Sequence, residues 1–260
     1  MGSTLLIETF SFIFGAIIGS FLSAAIWRLR VDKSLARGRS MCPHCRHILG
    51  VADLVPVFSY LALRGRCRYC AKRIHPAYFL IEVLTGFAFL LVVRQSAPSI
   101  VDAASLAPVV FRWAAAAMLL LLFFYDLLYS LVPSNVALVA AAAALAGNLA
   151  LGEPFPSLIS GVVMAAGFFY AQFAFSKGRW IGAGDIYLGA FMGALLGAER
   201  TLLGLFLAYV SGAFVGLGLM AAGRATMKTQ VPFGTFLMGS AFVAMLYGQR
   251  IIDWYIGRLS

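Results

Sequence analysis

The first long stretch without a basic residue, 5–27, is overwhelmingly apolar, and comparable runs recur to the end of the chain. Seven more lie at 76–94, 107–125, 133–151, 157–176, 185–198, 201–221 and 232–250. About 20 apolar residues make a helix long enough to cross a hydrocarbon core of about 30 Å. The pattern therefore predicts an all-α polytopic membrane protein with about eight transmembrane helices. The run 185–198 is the shortest and is rich in glycine. The run 5–27 is longer than the apolar core of a signal peptide and has no basic region before it. It is expected to be a retained helix rather than a cleaved signal.

One interval, 28–75, breaks the pattern. The predicted organisation is a first transmembrane helix (1–27), a cytoplasmic module (28–75) and a transmembrane core (76–260). Composition strengthens the membrane reading: 62% of residues are hydrophobic and only 12% are charged, unlike a soluble domain. Charge then supplies an orientation. Of the twenty Lys and Arg, eleven fall in 28–75, against two acids, Asp32 and Asp53. Basic loops between helices mark the cytoplasmic side. Alternating crossings place Lys177, Arg179, Arg224 and Lys228 on that side. Arg94, Arg112, Arg200, Arg250 and Arg258 fall on the other. Because this rule accounts for the formal charge of +10, nucleic acid is not an expected partner. Anionic lipid headgroups suit the basic loop better. No inverted repeat is evident, and "AAAALA" near Ala141 reads as small-residue helix packing.

All four cysteines lie in the module, as "CPHC" (Cys42, Cys45) and "CRYC" (Cys67, Cys70), with twenty-one residues between the pairs. Two such turns suit one tetrahedral zinc. A loop of about 48 residues buries little core of its own, so the metal would supply folding energy. Four thiolates leave no open position, which makes the expected zinc structural. Arg46, Arg66 and Arg68 favour thiolates. Two local disulfides or redox pairs are the alternative, and a cytoplasmic location disfavours them. His44, His47 and His75 are expected at the surface or behind the ligands.

Few acids fall in or beside the apolar runs, among them Glu8, Glu82, Asp126 at the end of "MLLLLFFYD", and Asp185 in "GAGD". Ionisable groups at membrane depth are functional candidates. Asp185 could instead cap the helix that follows it, and Asp126 could simply end a helix. Alternation brings both to the cytoplasmic boundary. Two carboxylates meeting there can share a proton, one activating water while the other polarises a carbonyl. That is aspartic-protease chemistry. A proton-coupled transporter could use the same pair, and a zinc-stabilised membrane scaffold would need neither.

Five blocks, in order, resemble the type IV prepilin peptidases, membrane aspartic proteases with a G-x-G-D motif. They are "GSFLSAAIWRLR" (19–30), the cysteine region 42–86, "FYDLLYSLVPSN", "GAGDIYLGA" and "VPFGTFLMG" (231–239). The resemblance implies that Asp126 and Asp185 are the catalytic pair and that Cys42, Cys45, Cys67 and Cys70 match the family's cysteines. It implies cleavage of a basic leader from prepilins and pseudopilins, after a glycine, at the cytoplasmic face of the bacterial inner membrane. It also implies N-methylation of the new terminus with S-adenosylmethionine. No G-x-G-x-x-G fingerprint marks a site for that cofactor, and Glu82 and Asp53 are polar candidates near the cysteine region without assigned roles. A substrate-docking role for the zinc module is the alternative. Two positions depart from the family: Tyr187 replaces a frequent lysine, and Leu128 replaces an acid found in some members.

Overall fold

The computed structural model describes residues 2–35, 38–96, 105–224, 226, 229 and 231–258. Arg37 and Lys228, two of the basic residues assigned to the positive side, lie outside the described residues. Among the described residues there are eight α-helices: α1 (Gly2–Arg30), α2 (Phe58–Ala62), α3 (Pro76–Ser96), α4 (Leu106–Tyr129), α5 (Ser134–Ala150), α6 (Phe155–Ser176), α7 (Ala183–Ala221) and α8 (Phe233–Ile256). There is no strand among the described residues, only two isolated β-bridges. Among the described residues, six helices are long and apolar enough to cross a membrane; α5 is apolar but shorter, and α2 is a single short turn of the module. The chain divides into two compact units, Met1–Ala117 and Met118–Ser260.

In the first unit α1 packs directly on α3. Gly15 and Gly19 make this possible. A Cβ on Gly19 would sit 2.7 Å from the Glu82 Cα, and one on Gly15 would sit 2.7 Å from the Thr85 carbonyl oxygen. Small residues spaced four apart let helix backbones touch where hydrocarbon supplies no hydrophobic drive. Glu8 takes a two-pronged ion pair from Arg94 on α3, at 3.0 and 2.9 Å. That pairing gives Glu8 a structural part, tying α1 to α3. In chain order the cysteine module lies between these two helices.

In the second unit α7 packs against α5, α6 and α8. The sequence pattern predicts two spans here, 185–198 and 201–221. The structure has one helical element of 39 residues, interrupted at Gly197 (φ 71°, ψ −179°). Only glycine adopts that conformation readily. The two legs fold back on each other: Met192 packs on Gly204, and Gly189 and Tyr209 both meet neighbouring residues of α6, Phe169 and Phe168. The leg 183–196 is about 21 Å long at 1.5 Å per residue, short of the full hydrocarbon thickness. Irregular backbone at such depth needs partners from within the protein. They are present. Asn148 of α5 donates from its side-chain amide to the carbonyls of Ala194 and Leu195, at 2.8 and 2.9 Å. The Ser157 hydroxyl of α6 accepts from the Ala198 N–H at 3.3 Å. The two spans therefore meet in a one-residue reversal instead of a loop.

Candidate active site

Asp126 lies in the last turn of α4, not just after the helix as the run 107–125 implied, because the helix continues to Tyr129 before Ser130 turns left-handed (φ 50°). Asp185 is the third residue of α7 rather than its first. Both are buried. Gly234 lies against both the Asp126 carboxylate and Leu188, one turn beyond Asp185, so the two acids expected from sequence lie near one another within the second unit.

Each carboxylate is held by the start of a helix. The Gly182 N–H donates to Asp185 Oδ2 at 3.2 Å, and the Asp185 N–H returns a bond to the Gly182 carbonyl at 3.2 Å. Asp185 thus caps α7 as well as facing Asp126. Gly184 lets the segment after α4 approach, since a Cβ there would lie 2.6 Å from the Val132 Cβ.

Asp126 Oδ2 accepts two bonds from Thr235 at the start of α8, one from its N–H at 2.7 Å and one from its hydroxyl at 3.1 Å. Gly234 keeps this approach open: a Cβ would fall 2.9 Å from that same oxygen and 2.7 Å from Leu188 Cδ1. The end of α4 and the starts of α7 and α8 therefore converge on one pair of carboxylates. Sequence reasoning gave no role to Thr235. Its only signal was its place in "VPFGTFLMG", right after the proline and glycine that open α8.

Thr235→Val removes the hydroxyl bond and keeps the N–H bond. Hydrogen bonds to charged groups contribute about 1.5–3 kcal/mol, so the peptide cleavage expected of this carboxylate pair should fall roughly 10- to 100-fold, with the protein still folded. Peptide cleavage by the purified variant, beside its thermal melt, checks this. Activity equal to that of the parent would make Thr235 a packing residue.

The second cluster lies in the first unit. The Sγ atoms of Cys42, Cys45, Cys67 and Cys70 all lie within 4.8 Å of one another, and those of Cys42 and Cys70 are 3.9 Å apart. Zn–S bonds of about 2.3 Å in a tetrahedron put sulfurs about 3.8 Å apart, so the donor set fits zinc. None of the three histidines joins the cluster; His47 lies against the Tyr69 ring, and His75 accepts the Ala77 N–H at its Nδ1.

Each cysteine pair is the same turn. The Cys42 N–H bonds to the His47 carbonyl and the Arg46 N–H to the Cys42 carbonyl; Cys67 with Lys72, and Ala71 with Cys67, repeat this. Arg46 and Ala71 both take left-handed φ, and the bridges Met41–Ile48 and Arg66–Arg73 close the two turns. Burial opposes ionisation of Cys42, but backbone N–H groups of Cys45 and His44 and nearby thiols bring it down to about 7. Cys70 accepts a backbone bond that favours its thiolate, yet burial and its neighbours push it up to about 11.

Asp53 accepts from Arg68 Nε at 2.7 Å, from the Tyr69 hydroxyl at 3.0 Å and from the Gly50 N–H at 3.1 Å. The Arg68 guanidinium, first among these, holds its carboxyl below the usual range. Asp53 thereby fastens the second cysteine turn to the segment between the pairs. Glu82 of α3 is buried and accepts the Val57 N–H at 2.7 Å.

Comparison with known proteins bears on both clusters. Residues 13–96 match the model of the bacterial peptidase A24 N-terminal domain, and residues 113–217 match that of the type IV leader peptidase family. A prepilin leader peptidase/N-methyltransferase of Myxococcus xanthus is 36% identical over 86% of this chain and 67% of its own. Proteins of the same name from Aeromonas hydrophila and Bacillus subtilis are each 31% identical over 94% of this chain, and over 92% and 96% of their own. No solved structure matches.

Proposed function

This chain belongs to the type IV leader peptidase family, and from that premise we propose how its own residues carry the family's chemistry. It removes the leader of prepilins and N-methylates the terminus so exposed. It is a multi-pass protein of the inner membrane. The transporter reading is not favoured by the family.

Asp126 and Asp185 are the proteolytic pair, and the observation that carries this is their convergence beneath the Thr235 bonds. The pair holds one proton between two carboxylates. The ionised member takes a proton from water as its oxygen attacks the scissile carbonyl. The protonated member donates to the carbonyl oxygen. When the tetrahedral gem-diol collapses, the protonated member gives its proton to the leaving amine while the ionised member takes one from a gem-diol hydroxyl, so the pair again holds a single proton. No covalent enzyme intermediate is needed. The cut follows a glycine and occurs at the cytoplasmic face, on the side the basic residues favour. Pseudopilins are substrates on the same grounds.

Cys42, Cys45, Cys67 and Cys70 hold one zinc. With four protein ligands it shapes the module and takes no part in cleavage. S-adenosylmethionine supplies an electrophilic methyl group for the new amine.

The experiment is direct. The purified protein is incubated in detergent with a prepilin, with and without S-adenosylmethionine, and the product is weighed by mass spectrometry. Leader loss in both samples and one added methyl mass only with the cofactor are expected. An intact prepilin in every sample would remove the peptidase assignment. Leader loss without methyl gain would leave a peptidase whose module only docks substrate.

A further inference from the structure

The first unit contains a cleft that the proteolytic pair does not use. It lies between α1, the cysteine module and the start of α3, and holds about 1,020 Å³ of empty space counting its solvent-open mouth. Its walls are chemically mixed. Trp27, Tyr60 and Phe79 supply aromatic surface, and the Tyr60 and Phe79 rings stack 5.2 Å apart. Arg39 and Arg68 bring positive charge, while Asp53 and Glu82 bring carboxylates. Cys42 and Cys67 form part of the wall, so the metal turns shape the cleft.

Glu82 is the unusual member. It is a buried carboxylate on an apolar helix, which is costly unless it serves a purpose. Val57, whose N–H it accepts, is a β-branched residue at φ 65°, ψ −53°. The Phe58 N–H bonds to the Pro56 carbonyl across it at 2.6 Å, forming a strained γ-turn. Ser20 adds another bond to Glu82. A carboxylate has about four acceptor positions, so these two bonds leave capacity for a ligand. A strained turn held by a buried acid beside a cleft is where a site is to be sought.

We propose that this cleft binds the adenosyl methyl-sulfonium donor, an inference that rests on the methyltransferase reading. The donor set matches that molecule part by part. Purine stacks on aromatic rings, and ribose hydroxyls donate to a buried carboxylate, here Glu82. A sulfonium cation is attracted to aromatic faces and carboxylates. An amino-acid carboxylate pairs with a guanidinium group, here Arg39. The neighbouring cleft on the module, lined by Arg64, Arg66, Arg73 and His75, has no carboxylate in its wall and so offers the ribose no charged acceptor.

The test is binding, separate from turnover. Full-length protein in detergent is titrated with S-adenosylhomocysteine, the demethylated product, by calorimetry. Saturable binding by the parent is expected. Glu82→Gln should weaken it at least 10-fold while zinc content stays at the parental level. Glu82→Gln could also relax the Val57 turn, so Ala24→Phe provides a second arm. Ala24 lines the cleft from α1, and the larger side chain fills it without removing a polar group. It too should lose binding at least 10-fold. Parental affinity in both variants would overturn the cleft and leave the methyltransferase reading standing. A parent that neither binds the product nor adds a methyl group to an already cleaved pilin would overturn both.

Discussion

Asp126→Asn and Asp185→Asn should each lower leader cleavage by roughly 1,000-fold or more, with the protein still inserted and folded. Acid–base groups contribute typically about 10²- to 10⁴-fold, and this pair supplies both the base and the acid. The amide is nearly isosteric. At position 126 its oxygen can still accept the Thr235 N–H, which the carboxylate accepts at 2.7 Å. At position 185 it can still accept the Gly182 N–H. The loss would therefore be chemical rather than architectural, and an unchanged thermal melt beside absent product separates the two. Methylation of an already cleaved pilin should persist in both variants, since no residue of the cysteine module is altered. Parental cleavage by either folded variant would remove that residue from the mechanism.

Cys42→Ser with Cys45→Ser should take bound zinc from about one per chain to nearly none. Structural zinc sites in isolated peptides bind with about 10–16 kcal/mol at neutral pH, more than this module can draw from its own core. Val51, Phe58 and Leu61 are 85%, 73% and 57% exposed, so its apolar residues bury little surface within it. Loss of metal should loosen 28–75, read as faster cutting there by an added protease. Acid should release metal from the parent as well. Metal binding needs all four thiolates, and at neutral pH Cys70, at about 11, is protonated in the metal-free site. Metal must displace its proton, which becomes harder as pH falls. Stoichiometric zinc in the double variant would show that the ion is held elsewhere.

Much of this was legible from sequence because the signals are local. Apolar runs of membrane length marked the spans, and two C-x-x-C turns marked the four cysteines whose sulfurs lie within 4.8 Å of one another. Asp126 and Asp185 stood out because carboxylates are rare against hydrocarbon. What escaped was tertiary. Thr235 is 109 residues from Asp126, and no periodicity links a helix start to a distant acid. Asn148 and Ser157 are polar residues in apolar helices, a visible signal whose meaning depends on the broken backbone they satisfy. Glu82 drew notice, but its partner is the N–H of Val57, and a backbone group leaves no mark in a sequence.

The reversal at Gly197 decides which face of the bilayer Thr235 can occupy. Every complete crossing moves the chain to the opposite face, so what matters between Asp185 and Thr235 is parity. A straight helix of 39 residues would be about 58 Å long and would count as one crossing. It would deliver α8 to the face away from Asp185, leaving Asp126 without its two hydrogen bonds. Folding the helix back makes the number even and returns the chain to the level at which it left. Phe233, two residues before Thr235, accordingly meets both Phe169 and Tyr209. A single glycine thus sets the sidedness of the third helix end in the site. An insertion that straightened 183–221 would erase the site by topology alone, with every one of its side chains intact.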